Sequence, residues 1–156
     1  CLLDTGCRYG EITRLEWTSV DFNQNTITIF RPKVSNESVL QMTTRVKTIL
    51  QARFEVASTQ WIFPSRDLKS HRSKQSPCIR KAMNRVNLHN CTVHTLRHTF
   101  ASRLATAGVS LFKIGAILGH SSPLMTARYA HLLPNQTALE TTSVINSFNE
   151  NNKKSF

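Results

Sequence analysis

Between Thr92 and His131 the chain reads TVHTLRHTFASRLATAGVSLFKIGAILGHSSPLMTARYAH, without one carboxylate. Its punctuation constrains the fold more than any other part of the sequence. Thr92 can cap a helix whose apolar stripe is Leu96, Phe100 and Leu104, and Gly108 suits the left-handed residue beyond its end. Ser110 can cap a second helix with Leu111, Ile114 and Leu118 inward, closed by Gly119. Ser122 and Pro123 then form a cap and a first-turn proline. A third helix should follow, with Met125 and Tyr129 one turn apart on one face. Joints this short keep the helix ends together, so polar groups near them converge.

Those polar groups have a common chemistry. His94 and Arg97 are three apart and share a helix face. His120 follows the glycine that ends the second helix, and Tyr129 lies in the third. A guanidinium, two imidazoles and a phenol with no acid nearby suit an anionic oxygen ligand such as a phosphate. A phenol is a poor nucleophile at its reference pKa of about 10 and needs cationic surroundings to become a good one.

The charge balance agrees. The 156 residues carry a net charge of +11, and 40% apolar content marks a globular chain of one-domain size. From Leu68 to Leu139 there is no Asp or Glu, and all six histidines stand in that window. A one-sided field of this kind suits the phosphates of DNA or RNA. The four cysteines show no paired spacing, so neither a disulfide frame nor a zinc knuckle is expected. No apolar run approaches the ~20 residues of a membrane span.

The opening CLLDTG reads as the last turn of a helix with Gly6 as its stop, as in a fragment of a longer chain. A short helix is expected over Gly10–Trp17, with Arg8 in the joint before it and Glu11 as a partner able to hold a cation. Val20–Asn25 reads as a turn, Thr26–Phe30 as a strand ended by Pro32, Val34–Ser38 as a polar turn and Val39–Met42 as the return strand. Lys33 then stands at the mouth of a hairpin. Thr43 or Thr44 can cap a helix over Arg45–Ala57 with Val46, Ile49, Leu50 and Phe54 inward. A basic loop containing Lys74 leads to a helix from Pro77 through Val86, with Ile79, Met83 and Val86 on one face and Arg80, Lys81 and Arg85 on another. That basic face, with Lys74 and Arg128, is a candidate to track a nucleic-acid backbone.

HTLRHTFAS, LGHSS and TARYAH, in this order and spacing, resemble the tyrosine recombinase (phage integrase) family. Thr5, Gly6, Arg8 and Glu11 match its Thr-Gly-x-Arg-x-x-Glu context, and Lys33 matches its hairpin lysine. The resemblance spans residues 1 to about 133 and implies a mainly α catalytic domain with a small antiparallel sheet near the N-terminus; the domain is expected to run over residues 1–148, with 149–156 as a disordered tail. It implies site-specific DNA recombination, in which Tyr129 attacks a DNA phosphate and forms a 3′-phosphotyrosyl intermediate before strand exchange and religation. Arg8 and Arg97 would clamp the non-bridging oxygens. His94 and His120 would donate hydrogen bonds to them, His94 being also the candidate to take the tyrosine proton. Lys33 would protonate the leaving oxygen. Glu11 and His98 would support these groups from behind. No cofactor or metal is implied. The implied partners are double-stranded DNA, further copies of the chain in a tetramer on that DNA, and accessory DNA-bending proteins, in the bacterial cytoplasm at the nucleoid. The turn departs from the family in one respect, since Ser35-Asn36-Glu37-Ser38 stands where further basic residues are common.

Two other classes compete. His94 and His98, four apart on a helix, have metal-ligand spacing, but Thr95 stands where a zinc protease needs Glu. The helices around Gly108 could instead form a non-catalytic helix-turn-helix. A relative that nicks and reseals DNA like a topoisomerase shares the chemistry, while LGH and TARYAH look more like integrases.

Overall fold

The computed structural model describes residues 1–31, 36–73, 77–134 and 137–153. The chain opens with α1 (Leu2–Thr5), stopped by Gly6 at φ 64°, and α2 (Tyr9–Thr13), for which Arg8 is the N-cap. The second helix thus starts earlier and ends sooner than its apolar spacing suggests, and Trp17–Ser19 is a separate 3-10 turn. Three antiparallel strands follow in the order β1 (Val20–Asp21), β2 (Thr26–Arg31), β3 (Asn36–Gln41). The register runs from Thr26 opposite Gln41 to Arg31 opposite Asn36. Both hairpin strands are longer than expected, and Glu37 and Ser38 belong to β3 rather than to a turn.

Helix α3 (Thr44–Phe54) has Thr43 as its cap, the hydroxyl accepting from the Val46 N–H at 3.2 Å. Val46 and Leu50 are fully buried, whereas Ile49 and Phe54 are exposed. Helix α4 (Pro77–Arg85) buries Met83 and leaves Val86 in solvent. Helices α5 (Val93–Thr106) and α6 (Leu111–Leu118) match the expected pair closely, down to the Ser110 cap and Gly119 at φ 66°. The most buried stripe of α5 is Arg97, Ala101 and Ala105, while Leu96, Phe100 and Leu104 are only half-buried. The alanines are small enough to sit at the closest approach of α5 to its neighbours, and Arg97 is buried beside them with donors on two carbonyls.

The third helix of the central block is shorter than expected. Helix α7 (Leu124–Ala127) is a single turn, and Tyr129 lies beyond it at the start of a 3-10 turn, Ala130–Leu132. Met125 is 41% exposed and Tyr129 5%, so they do not share a face. Arg128 keeps helical backbone angles (φ -57°, ψ -19°), and the chain departs from them at Tyr129 (φ -96°, ψ 0°). Helix α8 (Thr137–Lys153) extends into the stretch expected to be a disordered tail, with Val144, Ile145 and Phe148 exposed. No helix of the described residues is long and apolar enough to cross a membrane.

The core has two parts. One packs Cys7, Ile12 and Leu15 against Ile27 and Ile29 of β2 and Val46 and Leu50 of α3. The other packs Ala101 and Ala105 of α5 against Ile114 and Leu118 of α6 and the ring of Tyr129. Two buried arginines stitch the seam in opposite directions. Arg97 of α5 donates to the Gly6 carbonyl at 2.7 Å and to the Leu118 carbonyl at 2.9 Å. Arg31 of β2 donates to the carbonyls of Ala116 at 3.3 Å and Ile117 at 2.5 Å.

Candidate active site

The seam gathers the polar residues. Arg8 sits in the joint between α1 and α2, where its backbone N–H donates to one Glu11 carboxylate oxygen and its Nη1 to the other, both at 2.8 Å. Glu11 is almost fully buried, so its two oxygens are committed to one residue and hold that guanidinium in place. Arg97 is 4% exposed and has no carboxylate partner among the described residues. A guanidinium carries five N–H groups. Two of them go to carbonyls at helix ends, and the rest remain for a ligand. Burial, and after it the neighbouring Arg8 charge, lowers the Arg97 pKa from the usual arginine value.

His120 follows Gly119, whose left-handed backbone turns the chain out of α6. Its Nδ1 stands 2.7 Å from the Thr126 hydroxyl, which fixes the ring and leaves Nε2 for a ligand. Burial first, then the charges of Arg97, Arg8, Arg128 and Arg31, push its pKa down to about 4. The imidazole is therefore neutral at pH 7. Arg8, Arg97, Arg128 and His120 thus share one electrostatic neighbourhood.

Tyr129 completes the set. Its hydroxyl lies 2.7 Å from Nδ1 of His98. Burial raises the phenol pKa, against the pull of Arg128 and Arg97. The His98 pKa is lowered by burial and then by His94, Arg128 and Arg97. A neutral imidazole thus faces a protonated phenol, the arrangement in which the ring accepts. His94 is exposed, and its ring meets that of His98 edge-on at 5.0 Å. The residue on the tyrosine hydroxyl is therefore His98 and not His94, contrary to the sequence-based expectation. The reason is the helical step. His98 lies one turn further along α5 than His94, level with the point where Tyr129 turns in.

Arg128 is exposed beside this group, and Arg80, Lys81 and Arg85 are exposed on α4. Lys33 and Lys74 lie outside the described residues. Among the described residues, no three His, Cys, Asp or Glu side chains cluster as a metal centre requires. Two contributors were not foreseen. Thr126 is silent in the sequence, since a threonine on a short helix has many ordinary roles. Arg31 had a signal, because strand alternation puts it on the same face as Ile27 and Ile29.

A sequence model of the phage integrase family matches residues 1–136. The chain belongs to that family. The integrase of Salmonella phage P22 is 27% identical to it over 146 residues, 85% of this chain and 38% of that protein. A tyrosine recombinase of Agathobacter rectalis is 33% identical over 143 residues, 84% of this chain and 45% of the relative. This integrase-family chain thus spans less than half the length of these relatives. Its fold is that of the Tn1549 transposon integrase solved with a circular intermediate DNA, with a TM-score of 0.76 at 22% identity over 91% of this chain and 56% of that one. The catalytic domain of bacteriophage HP1 integrase superposes with a TM-score of 0.66 at 25% identity, over 90% of this chain and 76% of that domain.

Proposed function

We propose that this chain is the catalytic domain of a site-specific DNA recombinase that works through a phosphotyrosyl intermediate. The observation that carries the reading is the Tyr129 hydroxyl held by a neutral imidazole in the field of Arg128 and Arg97, the latter without a carboxylate partner among the described residues. In the proposed step the Tyr129 oxygen attacks a backbone phosphorus and the bond to the 5′ oxygen breaks. The phenolic proton passes to His98 as the new P–O bond forms. Arg8, Arg97 and the Nε2–H of His120 hold the non-bridging oxygens and offset the charge that grows there. For His120 to donate from Nε2, the Thr126 hydroxyl must donate to Nδ1, a direction in which the 2.7 Å separation makes a good hydrogen bond. Lys33 is the proposed donor to the leaving 5′ oxygen, from the hairpin turn. His94, exposed at the rim, is left to contact the DNA backbone.

Reversal of the same step by a 5′-hydroxyl of another strand gives exchange and religation, with the bond free energy kept in the phosphotyrosine. Double-stranded DNA is the proposed substrate. The α4 residues Arg80, Lys81 and Arg85, with Lys74 and Arg128, are proposed to track its backbone. Four copies on DNA, aided by bending proteins, at the bacterial nucleoid, complete the proposed setting.

The test is covalent trapping. The full-length protein is mixed with nicked duplexes spanning the junctions of its own genetic element and run on a denaturing gel. A protein–DNA adduct that disappears in Tyr129→Phe, with DNA binding retained, is the expected result. An adduct that persists in the variant would mean that another residue is the nucleophile.

A further inference from the structure

Arg31 is 2% exposed at the end of a strand, in the third place of a buried row that begins Ile27, Ile29. A cation there costs several kcal/mol unless its donors are met. Its two terminal nitrogens find partners in an unusual place. Ala116, Ile117 and Leu118 form the last turn of α6, and Arg31 takes the first two carbonyls while Arg97 takes the third. The negative end of the α6 dipole thus faces two guanidiniums. Arg31 also lies directly against Gly119. A Cβ on that glycine would fall on the Arg31 guanidinium. Its Nε is buried and has no hydrogen-bond partner among the described residues. No carboxylate pairs with it among them either.

We infer that Arg31 is a positioning residue of the proposed transesterification site, gripping the end of α6 so that the chain leaves Gly119 in the direction that sets His120 against the phosphate. This role rests on the phosphotyrosyl reading given above. Arg31 makes no hydrogen bond to Tyr129 or His120. It acts through the carbonyls and the glycine immediately before His120. It also contributes charge, in company with Arg97, Arg8 and Arg128, which together lower the His120 pKa.

The roles of the two seam arginines then differ. Arg97 is buried but offers its remaining donors to the ligand. Arg31 belongs to the opposite half of the core and supplies the reference against which α6 is placed. Without it, the α6 end has one grip instead of two, and the ring of His120 loses its fixed approach.

The test uses Arg31→Met, which keeps the stem and removes the charge and the donors, and Arg31→Gln, which keeps an amide for one carbonyl. Each is made in the full chain with two readouts. The first is the NMR titration of the His120 imidazole, which burial and then the nearby guanidiniums depress to about 4. The second is the single-turnover rate of adduct formation on a nicked duplex at saturating DNA, with the dissociation constant measured beside it. Both variants are expected to move the His120 titration upward and slow the adduct at least about tenfold, with affinity for DNA changed by less than about threefold. A folded variant with the native rate overturns the inference. So does a slowed variant whose His120 titration is unmoved, since the effect would then run by another route. If neither variant melts cooperatively, Arg31 is a folding residue only, and the inference fails. If the native chain forms no adduct, the phosphotyrosyl reading is what fails, while the titration still reports on the Arg31 grip.

Discussion

Two imidazoles four residues apart on α5 have different surroundings, and their variants should separate. His98 holds the Tyr129 hydroxyl at 2.7 Å, and His94 does not touch it. Loss of a general base typically costs about 10²-fold or more. His98→Asn should therefore slow adduct formation by about that factor, and His94→Asn by clearly less, in single-turnover assays at saturating DNA. Equal losses would return the proton to a shared network. His120 makes a second prediction, about stability. Its folded pKa of about 4 lies below the unfolded value near 6.5. Between these values the unfolded chain binds the proton and the folded chain does not, so stability rises with pH across that window. The part due to His120 is fully present above about pH 6.5 and is lost as pH falls toward about 4. In thermal melts at fixed ionic strength the native chain should lose stability relative to His120→Gln as pH falls through this window.

The elements show what could be read from the residues. Serine caps and glycine stops gave α6 to the residue, because each meets a local backbone demand that few residues satisfy. Ser110→Ala removes an acceptor for the Lys113 N–H and should cost about 1 kcal/mol in a denaturant melt. Gly119→Ala should cost more, about 1–3 kcal/mol, since it combines a φ of 66° with displacement of Arg31. Its adduct rate should fall too, whereas that of Ser110→Ala should not. Apolar spacing misjudged two other elements. For α7, helical spacing placed Tyr129 with Met125, but the helix ends at Ala127 and the phenol is buried against His98. For α5, spacing chose the large apolar stripe, while the deepest positions went to Arg97 and the alanines beside it. A buried arginine whose partners are carbonyls from residues 6 and 118 leaves no local trace in sequence. Its partners are known only once the chain has folded.

For the whole molecule, the asymmetry of charge was plain in the sequence and the seam was not. Acids end at Asp67 and resume at Glu140, so the intervening surface has no internal counterion. DNA binding by the full chain should weaken steeply with salt. Neutralising Arg80 and Lys81 together should lower the log–log slope by about one unit for each phosphate left without its cation. The adduct rate at saturating DNA should be unchanged, which separates backbone tracking from chemistry. The seam has a different kind of consequence. Arg97 joins Gly6 to Leu118 as well as facing the proposed ligand, so its replacement loosens the two halves of the core at once. Tyr129→Phe removes one oxygen from a packed ring and leaves that ring in place. A single nucleotide change at the tyrosine codon should therefore leave an inactive but folded protein. A change at the Arg97 codon should instead destabilise the product and expose it to proteolysis. Surviving inactive copies should therefore keep Arg97 more often than Tyr129.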